Sequence, residues 1–311
     1  VIAIIFETEN KKRWKIAVII FILFVITGLV LIGCTAYSIF ASIRIPDISK
    51  LTISKGIYIT KTIKEIQKNT ANKDSNVAKP IQGLIQHFSK HRDKYNFTAS
   101  TLPILNSKNG LLTSAFVVSG DDRSVNDLKH NINKLDIVLP DYFSFVKGEV
   151  EINENVRNDI QSLLKQNHVM IIPRISNTDE NGNWFGKEFI DLINGDENRV
   201  ALEGLIINTL KKYDLKAINV DVENISDQNS DHYLDFLDEL SYMLHKNKMY
   251  LTVDVPVNDA SVDYEEIGKD ANLVYVMAYD ENYEGGTAGP IAEKSWFDDA
   301  LETLKARIPN N

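Results

Sequence analysis

The sequence predicts an α/β fold, the wall of a parallel barrel made of repeated strand–helix units and carried behind a transmembrane helix. Three observations predict it. From Leu111 onward, short β-branched runs alternate with longer amphipathic segments, the pattern of βα units around a parallel sheet. Most of the short runs are continuously apolar, as strands buried on both faces must be. Ahead of them, 28 residues between Lys15 and Arg44 carry no charge.

Residues 1–15 read as a cytoplasmic tail and residues 16–43 as the span. As helix the uncharged run measures about 42 Å at 1.5 Å per residue, against a hydrocarbon core of about 30 Å. Lys11, Lys12, Arg13 and Lys15 crowd its amino-terminal side, while Arg44 stands almost alone on the other. The positive-inside rule therefore puts the amino terminus in the cytoplasm and the rest outside, a single-pass arrangement in the cell membrane. Trp14 suits an interface anchor. Leu31-Ile32-Gly33-Cys34 also resembles a bacterial lipoprotein cleavage box, in which Cys34 would be lipidated. The apolar run continues past it through Ala36, Tyr37, Ile39 and Phe40, as a permanent span does. Either chemistry tethers the following domain to membrane lipid outside the cytoplasm. A single cysteine allows no internal disulfide and no cysteine-based metal cluster.

Residues 44–110 read as an extracytoplasmic connector, because Pro46, Pro80 and Pro103 punctuate a stretch rich in Lys, Asn, Ser and Thr. One short helix interrupts it, with Pro80 at its start and Ile81, Leu84, Ile85 and Phe88 at helical spacing. His87 and His91 share a face of that helix, but no third ligand accompanies them at recognisable spacing, so they read as a solvated face. Residues 1–110 hold 16 basic and 6 acidic side chains and residues 111–311 hold 18 and 37, giving +10 and −19. The basic part suits anionic lipid or cell-wall polymer. The acidic part repels phosphate, which argues against nucleic acid and for a neutral or cationic ligand.

Within residues 111–311 six strands are expected in order: Thr113–Val118, Leu135–Leu139, Val169–Ile175, Ala217–Val222, Tyr250–Val255 and Leu273–Ala278. Between them, Val156–Lys165, Arg199–Lys212 and Tyr233–His245 have helical periodicity. The fourth run, Ala217-Ile218-Asn219-Val220-Asp221-Val222-Glu223, alternates polar and apolar strictly. Side chains two apart share a strand face, so Asn219, Asp221 and Glu223 point together into the interior. Carboxylates buried there are costly unless hydrogen-bonded or used, and in barrel enzymes the carboxyl-terminal strand ends carry the chemistry. Glu223 stands at that end, with Asp221 beside it to raise its proton affinity, as a general acid near neutral pH requires.

At these residues the sequence resembles glycoside hydrolase family 18, the chitinase-like barrels, whose fourth strand carries Asp-x-x-Asp-x-Asp-x-Glu. Asp221 and Glu223 match the last two acids; Lys216 and Asn219 replace the first two, and Ala217 replaces the usual glycine. Val276-Met277-Ala278-Tyr279-Asp280 is similar to the family's Met-x-Tyr-Asp on strand six, and the interval, with its strand Leu251-Thr252-Val253-Asp254-Val255-Pro256, is also the family's. The matches cover residues 113–306. The resemblance implies a (β/α)8 TIM barrel, incomplete here with six of its eight βα units, and so a carboxyl-terminally truncated product or a fragment. Asn219, the VDVP strand, the run MAYDENYEGGTAGPIAEKSWF and an upstream span are similar to one bacterial membrane subgroup. In that subgroup polysaccharide deacetylase and family 2 glycosyltransferase domains follow the barrel, and neither is present in this chain.

The family cleaves β-linked N-acetylglucosamine polymers with retention, using the substrate's acetamido oxygen as nucleophile and neither metal nor organic cofactor. By resemblance Glu223 is the general acid and base, Asp221 holds the acetamido N–H, Tyr279 hydrogen-bonds the acetamido oxygen and Asp280 contacts the sugar. Asn219 cannot share a proton with Asp221 as an aspartate would, which weakens the pattern. Trp184, in the polar loop 177–186, is the candidate sugar platform, whereas Trp296, followed by helical periodicity, reads as packing. Asp121, Asp122, Asp141 and Asp254 near strand ends read as loop caps. The alternative to hydrolysis is a non-hydrolysing carbohydrate-binding barrel that guides a polysaccharide for a fused or partner deacetylase or glycosyltransferase.

Overall fold

A computed structural model describes residues 111–308, apart from 147–148, 153–158, 180–181, 227–229, 258 and 284. The expected span 16–43, the connector 44–110 with its helix, Cys34, His87 and His91 lie outside the described residues. Among the described residues no helix is long and apolar enough to cross a membrane.

The chain runs β1 (Ser114–Val117), α1 (Asp122–Asn131), a 3-10 turn (Ile132–Lys134), β2 (Ile137–Val146), β3 (Glu149–Ile152), α2 (Asp159–Gln166), β4 (Met170–Ile171), β5 (Arg174–Ser176) and α3 (Gly186–Ile193). It continues through α4 (Asp196–Lys212), β6 (Ala217–Asp221), α5 (Ser230–Lys246), β7 (Tyr250–Pro256), α6 (Tyr264–Asp270), β8 (Leu273–Met277) and α7 (Lys294–Lys305). One sheet has the order β1-β2-β5-β6-β7-β8, with β3 and β4 also on β2. Every pairing is parallel except β2–β3. All six expected strands are present. The sheet curls, for Ser114 Oγ on β1 lies 3.2 Å from Tyr275 Oη on β8, and the Phe116 and Tyr275 rings meet edge to face at 5.7 Å. The curled parallel sheet with its helices is the wall of a (β/α) barrel, and among the described residues no ladder joins β1 to β8.

Two strands depart from expectation, both at proline. Pro140 pairs with Val117 as the last residue of the β1–β2 ladder, and the β2–β5 register slips between Asp141 and Phe143. A residue without an N–H is accommodated where the ladder is already irregular. Beyond it β2 runs on as an antiparallel hairpin with β3, pairing Phe143 with Ile152 and Val146 with Glu149. The third expected strand splits into β4 and β5 around Pro173, whose carbonyl still accepts from the Asn219 N–H at 2.8 Å.

The inner face of the curl is layered. Ile137, Leu139, Ile172 and Ala217 form a buried cluster with Met170, Tyr250, Leu273 and Tyr275 packed against it. The next residues along the same strands are polar: Asp141, Arg174, Asn219, Thr252 and Asp254. On the outer face α4 packs on β6, and α5 and α6 pack on β7. An edge-to-face chain Phe145–Phe189–Phe236, at 5.3 and 5.6 Å, ties β2 to α3 and α5.

A buried ion pair locks the helical layer. Arg199, 2% exposed at the start of α4, donates to Glu239 of α5 through Nε at 2.6 Å and Nη2 at 2.9 Å. Its Nη1 donates to the Ile193 carbonyl at the end of α3 at 3.0 Å. Removing one partner of such a pair strands the other charge. Arg199→Met is expected to cost about 3–5 kcal/mol in urea unfolding. One turn on, neither carboxylate oxygen of Glu203 has a hydrogen-bond partner, and burial holds its pKa well above the usual carboxylate range. The folded chain keeps that proton where the unfolded chain releases it, so this contribution is full at acid pH and is lost as pH rises above the ordinary carboxylate range. Glu203→Gln should therefore flatten part of the decline in stability between acid and neutral pH, again read by urea unfolding.

Candidate active site

The polar layer above the apolar one is built by β2, β5, β6 and β7. Alternation along β6 puts Asn219 and Asp221 on the inner face, 0% and 4% exposed, while Ile218 and Val220 are buried on the other. Glu223 follows just beyond the strand end, half-buried. Its backbone is held from the loop after β5: the Glu223 N–H donates to Asn177 Oδ1 at 3.0 Å, and Asn177 Nδ2 donates to the Glu223 carbonyl at 2.8 Å. Gly186, at the start of α3, closes the same place. A Cβ there would lie 2.0 Å from the Asn224 carbonyl oxygen and 2.9 Å from that of Glu223.

Arg174 joins two carboxylates. Its Nε donates to Asp141 Oδ1 at 2.8 Å and Nη2 reaches the same oxygen, while Nη1 donates to Asp221 Oδ2 at 2.8 Å. Asp221 Oδ1 is buried and has no partner. Asn219 Nδ2 donates to Thr252 Oγ1 at 3.0 Å and to Asp254 Oδ1 at 2.8 Å, and its own Oδ1 is unpartnered. Tyr233 of α5 turns a buried, unpartnered hydroxyl toward this layer. Burial raises its pKa, and the fields of Asp221, Asp254 and Glu223 raise it further.

The electrostatics follow from Arg174, the one cation paired with these acids among the described residues. Burial, then Asp221 and Asp280, push Glu223 up to about 7, with Arg174 opposing. Burial and Asp221 push Asp254 up to about 8 against the Asn219 hydrogen bond and Arg174. Burial also raises Asp221, offset by Arg174. At neutral pH Asp254 therefore holds its proton, and Glu223 passes readily between acid and base, as a group serving in both roles must.

Glu223 separates two cavities. One, of about 330 Å³, is lined by Glu223, Pro256, Met277, Tyr279, Asp280 and Trp296 among others. The second, of about 180 Å³, lies between Glu223, Asn224 and Tyr233 and the loop after β7 that carries Asp259, Ser261 and Asp263. Tyr279 is half exposed, its phenol pushed up to about 12 by burial and then by Asp221 and Glu223. Among the described residues no group of three or more His, Cys, Asp or Glu converges as a metal site needs.

The structure thus gathers Glu223, Asp221, Asn219, Tyr279 and Asp280 in one region. Trp184 bridges to Thr178 within the loop whose Asn177 holds the Glu223 backbone, and it is not among the residues lining these two cavities. Trp296, read from sequence as packing, lines the larger one. Asp121 is a helix cap, accepting from the Arg123 N–H at 2.8 Å. Asp141 and Asp254 are not caps; they lie within β2 and β7, tied to Arg174 and Asn219. Arg174, Asn177, Tyr233 and Gly186 were missed in the sequence. For Arg174 the signal was available, a lone cation in an otherwise apolar strand; for Gly186 there was none.

The profile of the glycosyl hydrolases family 18 matches residues 91–302. The chain is 25% identical over 203 residues to the uncharacterized glycosylase YvbX of Bacillus subtilis strain 168, covering 62% of this chain and 59% of that protein. A chitinase from Chromobacterium violaceum aligns with a TM-score of 0.56 at 23% identity, over 63% of this chain and 65% of the chitinase. The spore cortex-lytic enzyme SleL of Bacillus cereus aligns with a TM-score of 0.58 at 19% identity, over 64% of this chain and 48% of SleL. These two likenesses establish the fold. The chain spans less than two thirds of the length of each of these three relatives.

The close approach at Gly186 yields a direct test. A methyl group there meets backbone on the Glu223–Asn224 segment, which cannot yield as a flexible side chain would. Gly186→Ala is expected to destabilise the fold by about 1–3 kcal/mol, measured by urea unfolding. Asn177→Ala should leave two backbone groups of Glu223 without partners and cost about 1–3 kcal/mol.

Proposed function

The chain belongs to glycosyl hydrolase family 18, and from that premise we propose that it is an extracytoplasmic glycosidase hydrolysing β-linked N-acetylglucosamine polymers with retention. The observation that carries this reading is Glu223: a carboxylic acid poised near pH 7 on the wall of a cavity of about 330 Å³, two residues from a carboxylate with a free oxygen. The volume lies at the small end of the range of ligand pockets, about 300–1,000 Å³.

In the first step the substrate's acetamido oxygen attacks the anomeric carbon, the glycosidic bond breaks, and the Glu223 proton goes to the leaving oxygen. The ring closed in this way is a cationic oxazolinium. Asp221 accepts the acetamido N–H through its free Oδ1 and faces that charge. Tyr279 donates to the acetamido group and Asp280 holds the sugar. In the second step water attacks the same carbon, Glu223 takes its proton and the acetamide is released, so configuration is retained overall.

The uncharged run 16–43 supports a single-pass anchor with the barrel outside the cell membrane, and the +10 of residues 1–110 supports contact with anionic lipid or wall polymer. The −19 of residues 111–311 supports an uncharged glycan as the partner. The subgroup resemblance extends the reading to a polysaccharide-processing protein in which deacetylase and glycosyltransferase domains are joined to this barrel.

Two outcomes are expected. Glu223→Gln should lower hydrolysis of chitin oligosaccharides by about 10²–10⁴-fold with little change in oligosaccharide affinity. The general acid must be protonated, so kcat should decline on a basic limb near pH 7 and recover as pH falls through it. Neither binding nor cleavage of chitin oligosaccharides or peptidoglycan glycan would defeat the reading, and binding without cleavage would favour the guiding role.

A further inference from the structure

Asp141 from β2, Asp221 from β6, Asp254 from β7 and Tyr275 from β8 lie on the inner face, and Glu223 just beyond β6, Tyr279 and Asp280 after β8 and Tyr233 of α5 stand near the strand ends. The cation paired with these acids is Arg174 of β5. For the reaction above, Asp221 must be ionised while its neighbour Glu223 carries a proton. Burial and mutual repulsion oppose ionisation of either, and Asn219, an amide, brings no charge.

Arg174 answers both needs by its geometry. Its fork is anchored on Asp141 on one side, and its Cζ lies 5.6 Å from the Phe116 ring centroid, so the guanidinium is braced. The remaining nitrogen takes Asp221 Oδ2 and leaves Oδ1 buried and unoccupied. A planar, permanently charged fork can do this where a lysine point charge cannot. We propose that Arg174, anchored by Asp141, is a positioning residue that fixes Asp221 as an anion with one oxygen turned to the substrate, the part that Asn219 cannot take. The proposal rests on the hydrolytic reading for its consequence in catalysis, but not for the charge it places on the site.

The test uses the full chain with Arg174→Met and Arg174→Lys. Turnover of p-nitrophenyl N,N′-diacetylchitobioside is followed against pH, and the Glu223 carboxyl is titrated by ¹³C NMR, its signal assigned by its loss in Glu223→Gln. Removing the cation should lower kcat about a hundredfold with a smaller change in KM. It should also move both limbs of the pH profile upward, with the Glu223 midpoint above its starting value near 7. Arg174→Lys keeps the charge and loses the fork, so kcat should fall while the limbs and the midpoint stay in place. A merely structural arginine would leave both in place in Arg174→Met, and that result overturns the proposal. Wild-type kcat in Arg174→Lys overturns it too, which keeps the test decisive if the methionine variant does not fold. If the wild-type chain does not cleave the glycoside, an upward midpoint in Arg174→Met upholds the charge placed by Arg174 and sinks the hydrolytic reading; an unmoved midpoint sinks the proposal.

Discussion

Moving a carboxylate from water into a protein interior costs several kcal/mol unless a cation or donor meets it, and among the described residues the inner face of this sheet holds Asp141, Asp221 and Asp254, with Glu223 at a strand end beside them. Arg174 meets Asp141 and Asp221, and the Asn219 amide meets Asp254. Glu223, at the strand end, is left to settle by burial and repulsion near 7. Chemistry follows from that inequality. Acids in similar positions acquire different protonation states because one cation cannot serve them all equally.

The fold supplies the interior in which this division has force. An apolar layer of Ile137, Leu139, Ile172 and Ala217 lies under the polar one, so the carboxylates rest on a surface that offers them no hydrogen bonds. Alternation along β6 delivers Asn219 and Asp221 to one face, and the reciprocal pair between Asn177 and the Glu223 backbone ends the strand in a fixed place. Gly186 lets α3 come close enough to back it. Far from the site, the Arg199–Glu239 pair holds the helices that press on the outer face.

Much of this was legible in the sequence, for a physical reason: strands buried on both faces must be apolar runs, and a strand that interrupts that rule every second residue, as 217–223 does, announces an interior put to use. The same alternation in Leu251-Thr252-Val253-Asp254-Val255-Pro256 would have placed Asp254 inside, but an acid near a strand end also fits a cap. The second strand, expected over Leu135–Leu139, runs on through Pro140 and an irregular ladder into a hairpin. Trp296, expected as packing, lines a cavity beside Glu223, since distance along the chain from a motif says little about which segment folds over a cavity. The nearness of Gly186 to Asn224 has no local signature, because it is set by two segments that meet only in the folded chain.

The central claim is that the acetamido group, held by Asp221, displaces the leaving group that Glu223 protonates. The anomer first released from a chitin oligosaccharide, read by ¹H NMR before mutarotation, tests this most directly. Two displacements at one carbon give the β anomer first. Release of the α anomer would mean a single displacement by water, and would contradict the role given to Asp221.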